Sequence, residues 1–270
     1  MLNIDIYQVD AFTDTLFGGN PAAVCPLKAR LPDAVLQSIA GENNLSETAF
    51  FIPEGDGFEL RWFTPKVEID LCGHATLAAA YVVFNHLGYA KDEIRFSTRL
   101  AGPLSVKRRG DWLTLDFPSW VATPVSPAPE HGIEGLHGLR PKECYAKRDY
   151  MFVYDTEDEI RNACPDFTVL GRLDRYLCIT APGKDCDFVS RFFCAGDGVD
   201  EDSVTGSAHS MLIPYWARRL GKTEMLARQL SERGGELRFE YLGERVLISG
   251  QAVMYMQGKL SLPGPEKRFR

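Results

Sequence analysis

Two short stretches combine residue types that can hold an anion and move a proton: Cys72-Gly73-His74-Ala75-Thr76 and Thr205-Gly206-Ser207-Ala208. Each stands where a strand-like segment gives way to an apolar run of helical length. At such a junction free backbone N–H groups and the positive end of the helix dipole suit a carboxylate or a developing negative charge. His74 lies at the start of the first helix, where the dipole disfavours positive charge and favours a neutral ring able to hold a carboxylate or relay a proton. A structural, helix-capping histidine is the competing reading. Cys72 adds a thiol whose pKa a helix start lowers. Glu201-Asp202 places a carboxylate ahead of the second stretch, either for chemistry or for capping, a role also open to Thr205. Glu47, in Ser46-Glu47-Thr48, lies where a polar loop meets Ala49-Phe50-Phe51. Its carboxylate is therefore expected to be partly desolvated and suited to acid–base work near neutrality. The alternative makes Ser46 and Glu47 ordinary loop residues.

The elements that must position these groups are partly legible. Ile4, Ile6 and Val9 open a strand, Gly18-Gly19-Asn20-Pro21 signals a turn, and Ala22-Ala23-Val24-Cys25 returns as the second arm of a hairpin. Val35, Leu36, Ile39 and Ala40 recur at helical spacing after Pro32, with Gly41 expected to close the helix. Phe58, Leu60 and Trp62 alternate as a strand. The run 73–88 is apolar almost all round, which describes a helix buried on every side and requires a sheet wrapped about it.

The arrangement recurs. Phe58-x-x-Arg61-x-Phe63 matches Phe188-x-x-Arg191-x-Phe193, and Gly73 with Leu87-Gly88 matches Gly206 with Leu220-Gly221, at offsets of 130 and 133 residues. By that repeat Ser207 corresponds to His74, its hydroxyl and the neighbouring N–H groups forming an opposing wall. Thr205 corresponds to Cys72, so no second thiol faces the first. Pro214 is expected to kink the second helix. A proline-rich stretch at 118–129 reads as the linker between two α+β halves, 1–117 (with 259–270) and 118–258. Two copies of a sheet-wrapped helix joined in this way are expected to face each other across a cleft, the kind of place that pockets favour.

Composition removes other classes. A net charge of -7 argues against nucleic acid or an anionic membrane as partner. Seven cysteines without a C-x-x-C pair fit neither a disulfide framework nor a zinc motif and suggest a reducing, cytoplasmic setting. The five histidines lack metal-ligand spacing and no nucleotide-phosphate motif occurs, so a site with neither cofactor nor metal is expected. The basic tail 267–270 reads as a solvated end.

Gly19-Asn20-Pro21-Ala22-Ala23-Val24, Asn44-Leu45-Ser46-Glu47-Thr48, Phe63-Thr64-Pro65, Cys72-Gly73-His74-Ala75 and Glu201-Asp202-x-x-Thr205-Gly206-Ser207-Ala208 together resemble the phenazine-biosynthesis PhzF-like isomerase family. The resemblance implies a diaminopimelate epimerase-like fold of two similar halves, each a curved, mostly antiparallel sheet wrapped around a central buried helix, with the active site in the cleft between them. It also implies a glutamate acid/base, here Glu47, with His74 and Asp202 beside it and Ser46, Gly73, Gly206 and Ser207 binding substrate. A small carboxylate-bearing substrate and a homodimer are further implications. Ser203 stands where many relatives carry proline or alanine. Cys72 stands where the phenazine enzyme has no thiol, which leaves room for another small acid. The leading expectation is carbon-to-carbon proton transfer on such a substrate. An amino-acid racemase or epimerase using Cys72, and a small-molecule binding protein, are the alternatives.

Overall fold

The chain, in a computed structural model that describes residues 2–195 and 199–262, is an α+β fold dividing into two compact units, 1–116 with 250–270 and 117–249. The basic tail 267–270 lies outside the described residues.

The first unit opens with β1 (Leu2–Ala11) and β2 (Asn20–Pro26), the expected antiparallel hairpin. Gly19 makes the return possible: its φ is +62°, and a Cβ there would collide with the Ala11 carbonyl. Helix α1 (Asp33–Asn43) runs past Gly41 and ends at Asn44, which takes the left-handed conformation itself and returns its N–H to Ala40. Asparagine tolerates that conformation, so glycine is not needed at this end. Then come β3 (Glu47–Glu54), β4 (Gly57–Phe63), β5 (Glu68–Ile69), α2 (Gly73–His86), β6 (Glu93–Thr98), β7 (Leu104–Arg109) and β8 (Trp112–Pro118). Every residue of α2 from Gly73 to Ala80 is buried, as its all-round apolar sequence requires, and it packs against β1, β2 and β3.

The second unit contains β9 (Thr123–Pro124), α3 (Glu130–Glu134), β10 (Glu143–Ala146), β11 (Tyr150–Val153), α4 (Glu157–Arg161), α5 (Phe167–Leu170), β12 (Leu177–Pro182) and β13 (Phe188–Phe193). It continues through β14 (Glu201–Asp202), α6 (Gly206–Leu220), β15 (Glu224–Gln229), β16 (Gly235–Tyr241) and β17 (Arg245–Gly250). The proline-rich stretch is therefore not bare linker, since β9 pairs with β10 inside this unit. Pro214 lies within α6. Having no N–H, it leaves the Ser210 carbonyl one turn earlier without its helical partner, and Trp120 N–H donates to that carbonyl at 2.8 Å.

The final strand β18 (Ala252–Leu262) pairs with β1 along its whole length, from Ala11↔Ala252 to Leu2↔Leu262. This corrects the assignment of 252–258 to the second half: a strand belongs with the ladder that satisfies its backbone, and that ladder begins at β1. The first unit then pairs in the order β18-β1-β2-β3-β4-β6-β7-β8, the second in the order β9-β10-β11-β12-β13-β15-β16-β17. In both, the third and fourth strands are parallel, as are the fifth and sixth, and the other pairs are antiparallel.

Candidate active site

In the first unit, Glu47 and His74 meet. Glu47 is the first residue of β3, held opposite Ala22 by the parallel ladder with β2. His74 is the second residue of α2, and its Nε2 lies 2.9 Å from Glu47 Oε2. Its Nδ1 lies 3.1 Å from Asn20 Nδ2 and 3.5 Å from Cys72 Sγ. In the neutral ring, with the Asn20 amide donating, Nδ1 accepts and Nε2 carries the hydrogen facing Glu47; in the imidazolium both nitrogens donate, and the Asn20 amide turns its oxygen to Nδ1–H. Cys72 and His74 are 6% and 4% exposed, whereas the Glu47 side chain keeps 15%, so the carboxylate is the member of the trio that opens toward solvent. Its Oε2 is itself sealed and, among the described residues, receives no aligned hydrogen bond; the approach to His74 is an ionic contact.

Burial of the His74 ring opposes its protonation, but the neighbouring sulfur and the Glu47 carboxylate outweigh burial and hold its pKa well above the usual imidazole range. Burial, together with the Glu47 charge, pushes the Cys72 thiol up to about 11. The thiol is thus uncharged near neutrality, and the carboxylate is the charge that favours imidazolium. Both expectations drawn from the helix dipole alone are reversed. A full charge in contact outweighs the partial charge of a helix end for His74, and loss of solvent outweighs it for Cys72.

No side chain caps α2. The N–H and hydroxyl of Thr76 both return to the Cys72 carbonyl, the Ala75 N–H turns toward the Cys72 sulfur, and no side chain caps the N–H groups of Gly73 and His74. Gly73 is buried at this helix start and Ser46 immediately precedes Glu47. Glu47, Cys72 and His74 also bring carboxylate, thiol and imidazole donors within 4.8 Å of one another.

Asp202, Gly206 and Ser207 lie in the second unit, at the start of α6. Thr205 occupies the position before the helix without capping it; its hydroxyl donates to Asp202 Oδ2 at 2.6 Å. Its N–H donates to Gln229 Oε1 at 2.8 Å, while Gln229 Nε2 donates to the Asp202 carbonyl at 2.7 Å and to Thr205 Oγ1 at 3.2 Å. Burial without a charged partner lowers the pKa of the nearby His209 to about 4, and its ring N–H donates to the Thr205 carbonyl.

Asn20 and Gln229 went unrecognised as site residues in the sequence. Their signal is a polar side chain in phase with an inward apolar stripe: Asn20 with Ala22 and Val24 on β2, Gln229 with Met225 and Ala227 on β15, all buried.

A family-wide sequence model described as "Phenazine biosynthesis-like protein" matches residues 9–258. A Pseudomonas aeruginosa protein named as an uncharacterized isomerase is 51% identical over 97% of this chain and 100% of its own. A crystal structure of a PhzF-family phenazine biosynthesis protein from Enterococcus faecalis superposes with a TM-score of 0.93 at 44% identity, covering 97% of this chain and 100% of that one. A hydroxyproline epimerase from Agrobacterium vitis shares the fold alone, with a TM-score of 0.61 at 10% identity over 98% and 94% of the two chains. On these likenesses the chain belongs to the phenazine biosynthesis-like (PhzC-PhzF) family of isomerases.

Proposed function

We propose that the protein is a cofactor-independent isomerase that moves a proton between two carbons of a small carboxylate-bearing substrate, with Glu47 as the carrier. The observation that carries this reading is the Glu47 carboxylate, partly open to solvent and 2.9 Å from the imidazole of His74. Glu47 takes the proton from one carbon and returns it to another. His74 sits within proton-transfer distance of the carboxylate. The uncapped N–H groups at Gly73 and His74 suit the substrate carboxylate or the charge that develops on its conjugated system. Asp202, held by Thr205, and the helix start at Gly206-Ser207 serve as binding groups for an amine or hydroxyl and for an anion. A racemase that uses Cys72 as its base is disfavoured by the thiol: pushed up to about 11, it supplies little thiolate near neutrality.

The test is incubation in D₂O with a panel of small unsaturated hydroxy and amino acids, reading deuterium position by NMR. Position-specific incorporation into one compound, lost in Glu47→Gln while that compound still binds, is the expected result. Undiminished incorporation by Glu47→Gln would falsify the assignment. Incorporation that depends on Cys72 and not on Glu47 would establish the racemase instead.

A further inference from the structure

The trio at the start of α2 has a second chemical capacity. A carboxylate, a thiol and an imidazole are the three side-chain types that bind zinc, and here they converge from two elements, β3 and α2. Zinc bonds of about 2.3 Å to sulfur and about 2.0 to 2.1 Å to nitrogen and oxygen put tetrahedral donors about 3.6 Å (S to N) and about 3.4 Å (N to O) apart. Cys72 Sγ lies 4.0 Å from His74 Nε2, and His74 Nε2 lies 2.9 Å from Glu47 Oε2. The sulfur lies closer still to Nδ1, at 3.5 Å, so the three donors reach one ion once the imidazole turns to aim its Nε2 lone pair between the sulfur and the carboxylate. The oxygen concerned is the sealed Glu47 Oε2, which faces His74 Nε2 at 2.9 Å, so a cation there would take the place of the proton between them.

The surroundings match what a ligating histidine needs. Coordination through Nε2 leaves Nδ1–H to be held by an acceptor, the arrangement that fixes ring orientation in metal sites. Asn20 stands 3.1 Å from Nδ1, and rotating its amide by half a turn presents its oxygen there. Glu47 is the exposed member of the trio, so a fourth position on the ion would point to the solvent side and be filled by water.

We infer that Glu47, Cys72 and His74 form a three-ligand site for zinc or another thiophilic divalent cation, and that its occupation silences the proton carrier. On binding, the Cys72 thiol releases its proton to solvent and the sulfur bonds the metal as thiolate. Zinc on Oε2 takes the electron pair that Glu47 needs as a base. The cation is thus an inhibitor that competes with the catalytic proton for one oxygen. This second part rests on the proton-transfer reading above, whereas the metal site does not.

The full chain, reduced and stripped with a chelator, is titrated with ZnCl₂ by calorimetry, and separately with CoCl₂ while its absorption spectrum is recorded. One equivalent of zinc should bind at micromolar or lower concentration. Cobalt should show a sulfur-to-metal charge-transfer band together with tetrahedral visible bands. Cys72→Ala, Cys72→Ser and Glu47→Gln should each weaken zinc binding by more than about 100-fold. Cys164→Ser, at an exposed cysteine elsewhere, should leave it unchanged. Failure of the wild-type chain to give the thiolate–cobalt band overturns the site whether or not any variant folds, as does zinc affinity indifferent to Cys72. With a substrate in hand, deuterium incorporation should fall in proportion to zinc bound and return with chelator. Stoichiometric zinc with full incorporation overturns the silencing and points proton transfer away from Glu47, leaving the metal site standing.

Discussion

The starts of α2 and α6 occupy the same place in two units that share one pairing order, yet they differ in what they can do with a proton. At α2 the neighbours are Glu47, His74 and Cys72, all titratable, with His74 in contact with both of the others. At the corresponding positions of the second unit stand Thr205 for Cys72 and Ser207 for His74. Glu47 precedes Thr48, which pairs with Phe63; in the second unit Leu177 pairs with Phe193, so Tyr176 holds the register of Glu47. The second start keeps one carboxylate, Asp202, fastened by the Thr205 hydroxyl and backed by the Gln229 amide, a group with no proton to give. A repeat can thus conserve the backbone device, an uncapped helix start, while only one copy gathers a carboxylate, an imidazole and a thiol around it.

The sharpest way to break that comparison is to neutralise each carboxylate in turn. General acid–base groups contribute about 100-fold to 10,000-fold, so Glu47→Gln should reduce deuterium incorporation by at least about 100-fold with little change in KM. Asp202→Asn removes charge from a binding group and should act mainly on KM. Equal loss of kcat in both variants would show that proton transfer is shared.

How far this division could be read from sequence varies by element. The buried helices were legible because an all-round apolar run has no other reading, and the repeat was legible because Phe-x-x-Arg-x-Phe and Gly…Leu-Gly kept their spacing. The partner of β18 was not, since local alternation does not say which edge a strand joins; residues 252–258 look as well suited to the preceding hairpin as to β1. Glu47 and His74 were visible as residue types at a loop and a helix start, but the charge on His74 was not. It depends on a carboxylate 27 positions away, which only the β2–β3 ladder brings to 2.9 Å. Gln229 and Asn20 were hidden by company: each is one polar letter in a strand read for its apolar ones.

A second test uses the carbonyl just ahead of each helix. Thr76 and His209 are equivalent by the repeat, and each side chain returns to that carbonyl, of Cys72 and of Thr205. Only His209 titrates. Its folded pKa is about 4 against an ordinary imidazole value of about 6.5, so as pH falls the unfolded chain takes up the proton first. Stability from this group is complete above the unfolded value and is lost progressively as pH drops from about 6.5 toward 4, by up to about 3 kcal/mol. His209→Phe keeps the stack on Phe239, whose ring centre is 4.9 Å away, and should flatten the fall in urea-measured stability between neutral and acid pH. An unchanged slope would assign the acid sensitivity elsewhere.

The hydrogen bonds that fasten the second start converge on Gln229. Gln229→Leu is similar in volume but leaves the Thr205 N–H without its acceptor in a buried position, a loss of about 2 kcal/mol. Urea unfolding measures it. Amide hydrogen exchange should at the same time quicken at Thr205 and in the first turn of α6 and stay as in the wild type at α2. Quickening at both starts would mean that the two are not independent units of stability.

The smallest expected difference concerns the arginines of the repeated motif. Arg61 and Arg191 each make a paired contact with a glutamate, Glu68 and Glu201, and each lies over the following phenylalanine at 5.0 and 5.1 Å. Their other partners differ. Arg61 also bonds Asp33, and Arg99 reaches both Asp33 and Glu68, so a second cation remains when Arg61 is removed. Arg191 instead donates to the Ala163 and Ile160 carbonyls at the end of α4, and Glu201 has no second cation among its hydrogen bonds. Methionine at either position keeps the contact with the phenylalanine and removes the charge. Arg191→Met orphans a half-buried carboxylate and two carbonyls, whereas the carboxylates left by Arg61→Met are still answered by Arg99. The second variant should therefore be the more stable by about 1 kcal/mol, a gap that narrows little with salt because both pairs are mostly shielded from solvent. Equal losses would mean that Arg99, more than half exposed, contributes nothing to holding the first copy of the motif.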